Sequence, residues 1–138
     1  MSEEQKAAQS LLNLGNALKR LKEALREPEA NTLVIDGTIQ RFEFVIKLYW
    51  KTLKRLLLLE GIETTTPREA LRQAFKVGWI QDENVWLQML KDRNETSHIY
   101  DETAAKRIYR NIQSNYGILD ETYHFLLDKF SKEAQGTN

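Results

Sequence analysis

Residues 39–56 read IQRFEFVIKLYWKTLKRL, and this stretch decides the class of fold. Large apolar side chains recur in it at three- and four-residue steps, the spacing that places them on one face of a helix. These residues are Ile39, Phe42, Ile46, Tyr49, Leu53 and Leu56. Phe44, Leu48, Leu57 and Leu58 widen the apolar face, so we expect a central helix that packs on more than one side. The pattern predicts a helix from about Asp36 to Gly61.

The composition of the whole chain has the same helical preference. It contains 19 leucines, four valines and two prolines among 138 residues, a balance that favours helices over strands. A leucine stripe predicts a first helix over about residues 3–27, opened by a capping box of Ser2 and Gln5. The stripe consists of Leu11, Leu14, Leu18, Leu21 and Leu25. We expect an all-α fold, an up-and-down antiparallel bundle of about five helices in a single domain, residues 1–138.

A short third helix is predicted after the central one. Thr66, Pro67 and Glu69 supply a capping hydroxyl, a first-turn proline and a capping-box glutamate, in the order in which a helix uses them. Gly78 is placed to end that helix.

Two more helices complete the predicted bundle. The fourth begins near Asp82 and continues into residues 93–100, and the fifth spans about residues 102–133. The apolar stripe of the fifth helix is Ile108, Ile112, Tyr116, Leu119, Tyr123, Leu126 and Phe130. We expect the tail, residues 135–138, to fray.

Charge and motif content exclude several classes of function. Twenty basic and twenty acidic side chains cancel, so any nucleic-acid contact must come from a local patch. The six glycines are isolated, which argues against a glycine-rich nucleotide loop, and there is no cysteine and no metal-binding histidine pattern. We therefore expect no cofactor and no metal. The acidic start, MSEEQKAAQS, does not resemble a signal peptide, and no run resembles a membrane span, so the expected location is the cytoplasm.

The segment KDRNETSHIYD, residues 91–101, concentrates reactive side chains. On one helix Arg93 and His98 point about 140° apart, so they can flank a groove but cannot close around a small substrate. A second copy of the helix facing the first would supply the missing walls. The alternative is a helix end whose histidine interacts with the helix dipole and whose Tyr100 packs in the core.

This segment resembles the signature of HEPN-domain proteins, and most closely their bacterial branch of nucleotidyltransferase substrate-binding proteins. The resemblance lies in Arg93-x4-His98-x-Tyr100, preceded by WLQMLKD and followed by DE. Two further segments agree with it: IQRFEF followed by LYWKTLK, and PREA followed by AF and GWI. Together they cover about residues 36–110. One departure is Lys47, where members of this family usually carry glutamate.

The resemblance implies a symmetric homodimer, encoded beside a small nucleotidyltransferase in a toxin–antitoxin pair. It further implies a metal-independent ribonuclease in which Arg93 binds phosphate and His98 transfers protons. Asn94 would hold the phosphate or orient the histidine. Tyr100 would be the residue that the partner transferase modifies with AMP, which would add an anion beside Arg93 and block the path of the RNA.

Alternatives remain at this stage. Arg68, Arg72 and Lys76 form a basic row that could contact RNA, although a solvated helix face has the same pattern. Trp50, Trp79 and Trp86 could stack bases, but tryptophans within helical stripes are more typical of a core or an interface. Instead of a ribonuclease, the chain could be a non-catalytic subunit that docks a nucleotidyltransferase, or a plain helical dimerisation module.

Overall fold

The computed structural model describes residues 1–28, 31–95 and 101–136, with side chains described up to residue 131. In these ranges the chain forms five α-helices and no strand, which confirms the all-α prediction. None of the helices in the described ranges combines the length and apolar character needed to cross a membrane.

Helix α1 spans Glu3–Leu25 and helix α2 spans Thr32–Leu59. The capping box predicted for α1 is present, because Gln5 N donates to Ser2 Oγ at 3.1 Å and Ser2 N donates to Gln5 Oε1 at 2.9 Å. The predicted start of α2 near Asp36 is wrong by about one turn. Asn31 is the N-cap, and its side chain accepts a hydrogen bond from Val34 N at 2.9 Å, so the helix is already formed where the apolar stripe has not yet begun.

Helix α3 spans Pro67–Lys76, α4 spans Glu83–Glu95 and α5 spans Glu102–Gly136. Helix α5 therefore includes residues 135 and 136, which the sequence placed in a frayed tail, and residues 137–138 lie outside the described part. The Thr66 hydroxyl caps α3 as predicted, but the Glu69 carboxylate accepts from Thr65 N, one residue earlier than a capping box requires.

Two glycines end helices in the left-handed conformation. Gly61 follows α2 with φ of 81° and Gly78 follows α3 with φ of 84°. In both places the next residue donates back to the helix, Ile62 N to Leu57 O and Trp79 N to Ala74 O, each at 2.9 Å. This is the Schellman arrangement that glycine permits without strain.

Contacts between the helices fix their directions. The Arg41 side chain of α2 donates to the Arg20 carbonyl of α1, and the Arg55 side chain donates to the Ser10 hydroxyl. The later residue of α2 contacts the earlier residue of α1, so the two helices run antiparallel. Tyr116 in α5 reaches Leu18 in α1, while Gly15 lies against Tyr123. Helices α1 and α5 are therefore antiparallel as well, and they approach so closely that a Cβ at Gly15 would collide with the Tyr123 ring and hydroxyl.

Helix α2 lies at the centre, since it contacts α1, α3, α4 and α5. The six residues of its predicted stripe are all buried, which confirms the prediction of a central helix packed on several sides. The prediction that Phe44 and Leu58 widen the buried face is wrong. Phe44 is 53% exposed and Leu58 is 39% exposed, so the neighbouring helices leave much of both side chains uncovered.

Candidate functional site

Arg93 and Asn94 lie in the last turn of α4, at the rim of the helical bundle. The Arg93 side chain is half-buried, and its Nη1 donates to the Asn94 side-chain oxygen at 3.3 Å. Asn94 is exposed. The two residues that the sequence selected as phosphate binder and helper therefore share one polar contact at the surface.

His98 and Tyr100 fall in residues 96–100, outside the described residues. The predicted divergence of Arg93 and His98, and the predicted position of the Tyr100 hydroxyl beside Arg93, both stay predictions. The described structure resumes at Asp101, whose side chain accepts from Thr103 N at 2.9 Å at the start of α5.

A buried carboxylate lies directly before the arginine. Asp92 is 1% exposed, and its two oxygens accept from Gln88 Nε2 at 2.9 Å and from Asn111 Nδ2 at 3.3 Å. Arg107 lies 3.9 Å from Asp92 and 3.3 Å from Glu95, so a single guanidinium bridges two carboxylates of α4. A buried charge is tolerable only when such partners surround it.

This polar cluster fixes the end of α4. Asn111 and Arg107 belong to α5, whereas Asp92 and Glu95 belong to the last turn of α4. The contacts are directional, so they set the rotation of that turn and with it the direction in which Arg93 leaves the helix.

Arg93 opens onto a groove between α1, α2 and the end of α4. The groove has a volume of about 630 Å³ and is partly open to solvent. Its lining residues are Ala17, Arg20, Gly37, Gln40, Arg41, Glu43, Phe44, Lys47 and Arg93. Four of them carry a positive charge and one carries a negative charge. In a chain of zero net charge, this is a local basic surface of the kind that the sequence required for contact with a nucleic acid.

Arg41 is held in place by a hydrogen bond to α1. Arg41 Nη1 donates to the backbone carbonyl of Arg20 at 2.6 Å and so links α2 to α1, and both residues line the groove. Arginine has five N–H donors, and this bond uses one of them.

The predicted basic row lies elsewhere. Arg68, Arg72 and Lys76 are exposed along one face of α3, and none of them lines the groove. The structure does not bring them together with Arg93.

Most of the residues that the sequence set aside have the expected places. Trp79 and Trp86 are buried in the core at 5% and 1% exposure, whereas Trp50 is half-buried. His124 is at the surface, 3.4 Å from Asp120. In the part of the chain that the structure describes, no three histidine or acidic side chains come together to hold a metal ion.

Two features were missed from the sequence. The burial of Asp92 had a signal, since Asp92 continues the three-residue spacing of the buried Trp86 and Met89. The groove residue Arg20 had none, because a single arginine on the exposed side of a helix carries no pattern. Arg41 and Phe44 stood in one of the segments that carried the family resemblance, yet no functional role was given to them.

The chain is similar in sequence to known proteins. Residues 9–128 match the model of a family described as nucleotidyltransferase substrate binding protein like. The chain is 38% identical over 107 residues to a Haemophilus influenzae protein named probable ribonuclease HepT. That match covers 74% of this chain and 70% of the relative.

Solved structures agree with the fold. A crystal structure of a Thermus thermophilus protein superimposes with a TM-score of 0.77 at 31% identity, covering 82% of this chain and 98% of that one. HI0074 of Haemophilus influenzae superimposes with a TM-score of 0.74 at 28% identity, covering 84% and 98%. Its structure is described as revealing the fold of a substrate-binding domain of a nucleotidyltransferase.

Proposed function

The chain belongs to the nucleotidyltransferase substrate-binding family, and we propose that it is a HEPN-type toxin, a metal-independent endoribonuclease neutralised by a cognate nucleotidyltransferase. The observation that carries the proposal is the position of Arg93, half-buried and at the edge of a basic groove. The relative named probable ribonuclease, at 38% identity, supports the same activity.

Arg93 suits the charged step of RNA cleavage. The ribose 2′-oxygen attacks the neighbouring phosphorus, the bond from phosphorus to the 5′-oxygen breaks, and negative charge accumulates on the phosphate oxygens in between. A guanidinium stays charged at every physiological pH and offers paired N–H donors to those oxygens. Because Arg93 donates to the Asn94 side chain, an amide would lie beside a phosphate that Arg93 binds.

His98 would move the protons. A neutral imidazole accepts the proton of the 2′-hydroxyl, and an imidazolium donates one to the departing 5′-oxygen. The products are a 2′,3′-cyclic phosphate and a free 5′-hydroxyl. One histidine cannot hold both protonation states at once, so we propose a symmetric homodimer that brings two copies of the motif together.

The partner transferase would act at Tyr100. An AMP group on this tyrosine would introduce a phosphate close to Arg93 in sequence and compete with RNA for the same cation. This modification would neutralise the toxin by charge and by bulk.

The test is cleavage of a single-stranded RNA by the purified chain in the presence of EDTA. We expect the wild-type chain to cleave, and His98→Ala and Arg93→Ala each to lower the rate about a hundredfold or more. Arg26→Ala is the matched control, because Arg26 is an exposed arginine at the C-cap of α1, outside the groove. Circular dichroism and light scattering establish that each variant is folded and has the mass of a dimer.

A second function has one specific observation in its favour. HI0074 is described as a substrate-binding domain of a nucleotidyltransferase, which fits a non-catalytic docking subunit. If the wild-type chain cleaves no RNA but binds the neighbouring transferase, the docking function replaces the ribonuclease. Loss of cleavage in EDTA, or full cleavage by both motif variants, would contradict the proposed mechanism.

A further inference from the structure

We propose that the groove between α1 and α2 is the path of single-stranded RNA, with Arg20, Arg41 and Lys47 as phosphate contacts and Phe44 as a stacking surface. This inference rests on the proposed ribonuclease function and gives its substrate a location. The basic row of α3 is the competing location.

The groove leads directly to the candidate catalytic residue. Arg93 is one of its lining residues, and the α2 side of the lining runs from Gly37 to Lys47. The ten helical steps from Gly37 to Lys47 extend over about 15 Å, so the groove is long enough for a short run of nucleotides rather than for one phosphate. A strand bound there would present a phosphate to Arg93 without leaving the surface.

The charges of the groove residues are suited to binding a polyanion. Arg20 and Lys47 are exposed, and neither forms an ion pair with another residue that the structure describes. Glu43 is the one acidic residue of the lining. Because the chain as a whole is neutral, this excess of positive charge is local and would attract RNA to the groove rather than to the whole surface.

Arg41 gives the groove a fixed donor. Its bond to the Arg20 carbonyl holds the guanidinium in one orientation before any ligand arrives. Binding RNA then costs little side-chain entropy at this position, and the donors that remain can take phosphate oxygens.

Phe44 adds a feature that free phosphate would not need. Its ring is 53% exposed, although it lies among polar and charged groove residues. Gly37 contributes no side chain, and an added Cβ there would meet nothing within 4 Å, so the groove stays open at that point. An open aromatic face beside cations is the combination that binds unpaired bases, since each base can stack on a ring regardless of sequence.

The experiment measures binding separately from cleavage. A fluorescein-labelled, fully 2′-O-methylated single-stranded RNA cannot be cut by attack of its 2′-oxygen, so its anisotropy reports affinity alone. Affinity is measured over a series of salt concentrations for the wild-type chain and for the double variant Arg20→Gln/Lys47→Gln. We expect the double variant to bind more weakly and the slope of log affinity against log salt to fall by about 1.4, or about 0.7 for each lost phosphate contact.

Two further double variants remove the same charge from other surfaces. Lys19→Gln/Lys22→Gln is the control, because these lysines point about 160° and 140° away from the groove residue Ala17 on α1. Arg72→Gln/Lys76→Gln tests the α3 row.

Phe44→Leu keeps an apolar side chain but removes the ring, and we expect it to weaken binding about tenfold with no change in salt slope.

The results separate this inference from the proposed function. Weaker binding confined to the groove variants supports the inference, even if the wild-type chain cuts no RNA. If the wild-type chain cleaves unmodified RNA while the groove variants bind as wild type, the path is wrong and the ribonuclease stands. A lower salt slope confined to the α3 variant also overturns the path. Loss of the dimer in the groove variants, measured by light scattering, would also overturn the path, because it would assign the groove to a subunit interface.

Discussion

The two halves of α4 are anchored by different forces. In the first half, Trp86 and Met89 are each 1% exposed, and the Trp86 ring packs edge-on against Tyr49 with centroids 4.8 Å apart. In the second half, Asp92 is equally buried, but it is held by Gln88, Asn111 and Arg107. The first half of α4 is therefore held in the core by apolar contacts, and the second half by polar contacts.

The apolar contacts mainly stabilise the fold, whereas the polar contacts mainly orient side chains. Burial of apolar surface is strong but non-directional, so it fixes where the helix lies and leaves its rotation loosely set. Hydrogen bonds to a buried carboxylate contribute less net free energy but depend on angle. The half of α4 that carries Arg93 is the half with directional contacts, which is the arrangement that the proposed phosphate-binding role of Arg93 needs.

The largest effect is expected from breaking the apolar half. Trp86→Ala should lower the free energy of unfolding by about 3–5 kcal/mol, because it removes a fully buried ring and leaves a cavity against Tyr49. The measurement is urea unfolding at fixed protein concentration, followed by circular dichroism.

Trp86→Phe is the control for that substitution. The indole N–H of Trp86 is buried and has no hydrogen-bond partner among the described residues, so phenylalanine removes an unsatisfied donor while keeping an aromatic ring. It should therefore cost much less than alanine. Equal losses for the two variants would show that ring packing does not anchor this half.

Breaking the polar half of α4 is expected to lower stability less than breaking the apolar half, but to lower activity more. Asp92→Ala should lower the free energy of unfolding by about 1–3 kcal/mol, because the amides of Gln88 and Asn111 lose their acceptor. Under the proposed function, kcat/KM for RNA should fall further than the folded fraction does, since Arg93 loses its fixed orientation.

Asp92→Asn keeps the shape and one acceptor oxygen of this residue and should recover part of both losses. If Asp92→Ala loses activity only in proportion to the folded fraction, the proposed difference between the two halves of α4 is contradicted. The role of Asp92 would then be structural, like that of Trp86.

The smallest effect concerns pH and the residue that packs against Trp86. Burial, and next the nearby carboxylate of Asp120, raise the pKa of Tyr49 well above its ordinary value of 10.0. Below pH 10 this phenol keeps its proton in both the folded and the unfolded state, so it gives stability no pH dependence there. Above pH 10 the unfolded chain releases the proton and the folded chain retains it, so stability falls as pH rises.

Tyr49→Phe tests this sign. It removes the hydrogen bond of 2.6 Å to the Leu119 carbonyl and should cost about 1 kcal/mol at pH 8. It should also reduce the loss of stability between pH 8 and pH 11 relative to the wild-type chain. Burial raises the pKa of Tyr116 and Tyr123 in the same direction, so part of the alkaline loss should persist. An unchanged pH dependence in Tyr49→Phe would contradict the assignment to Tyr49.

The amino-acid sequence by itself determined the helices and most of the buried faces. Periodic apolar residues, the Ser2 capping box, the Thr66 cap and Gly78 predict structure through interactions that span five residues or fewer, so they can be read without a neighbouring helix. The one large boundary error, at the start of α2, arose because the cap at Asn31 precedes the apolar stripe.

Only the tertiary structure decided the site around Arg93. Asp92 reaches Asn111 across 19 residues and Arg41 reaches Arg20 across 21, and neither contact has a local sequence pattern. The exposure of Phe44 also depends on which helices pack against α2, since an apolar residue beside a buried stripe has the same spacing whether or not a partner covers it. Periodicity specifies which face of a helix is apolar, whereas the packing of the helices specifies which residues of that face remain open to a ligand.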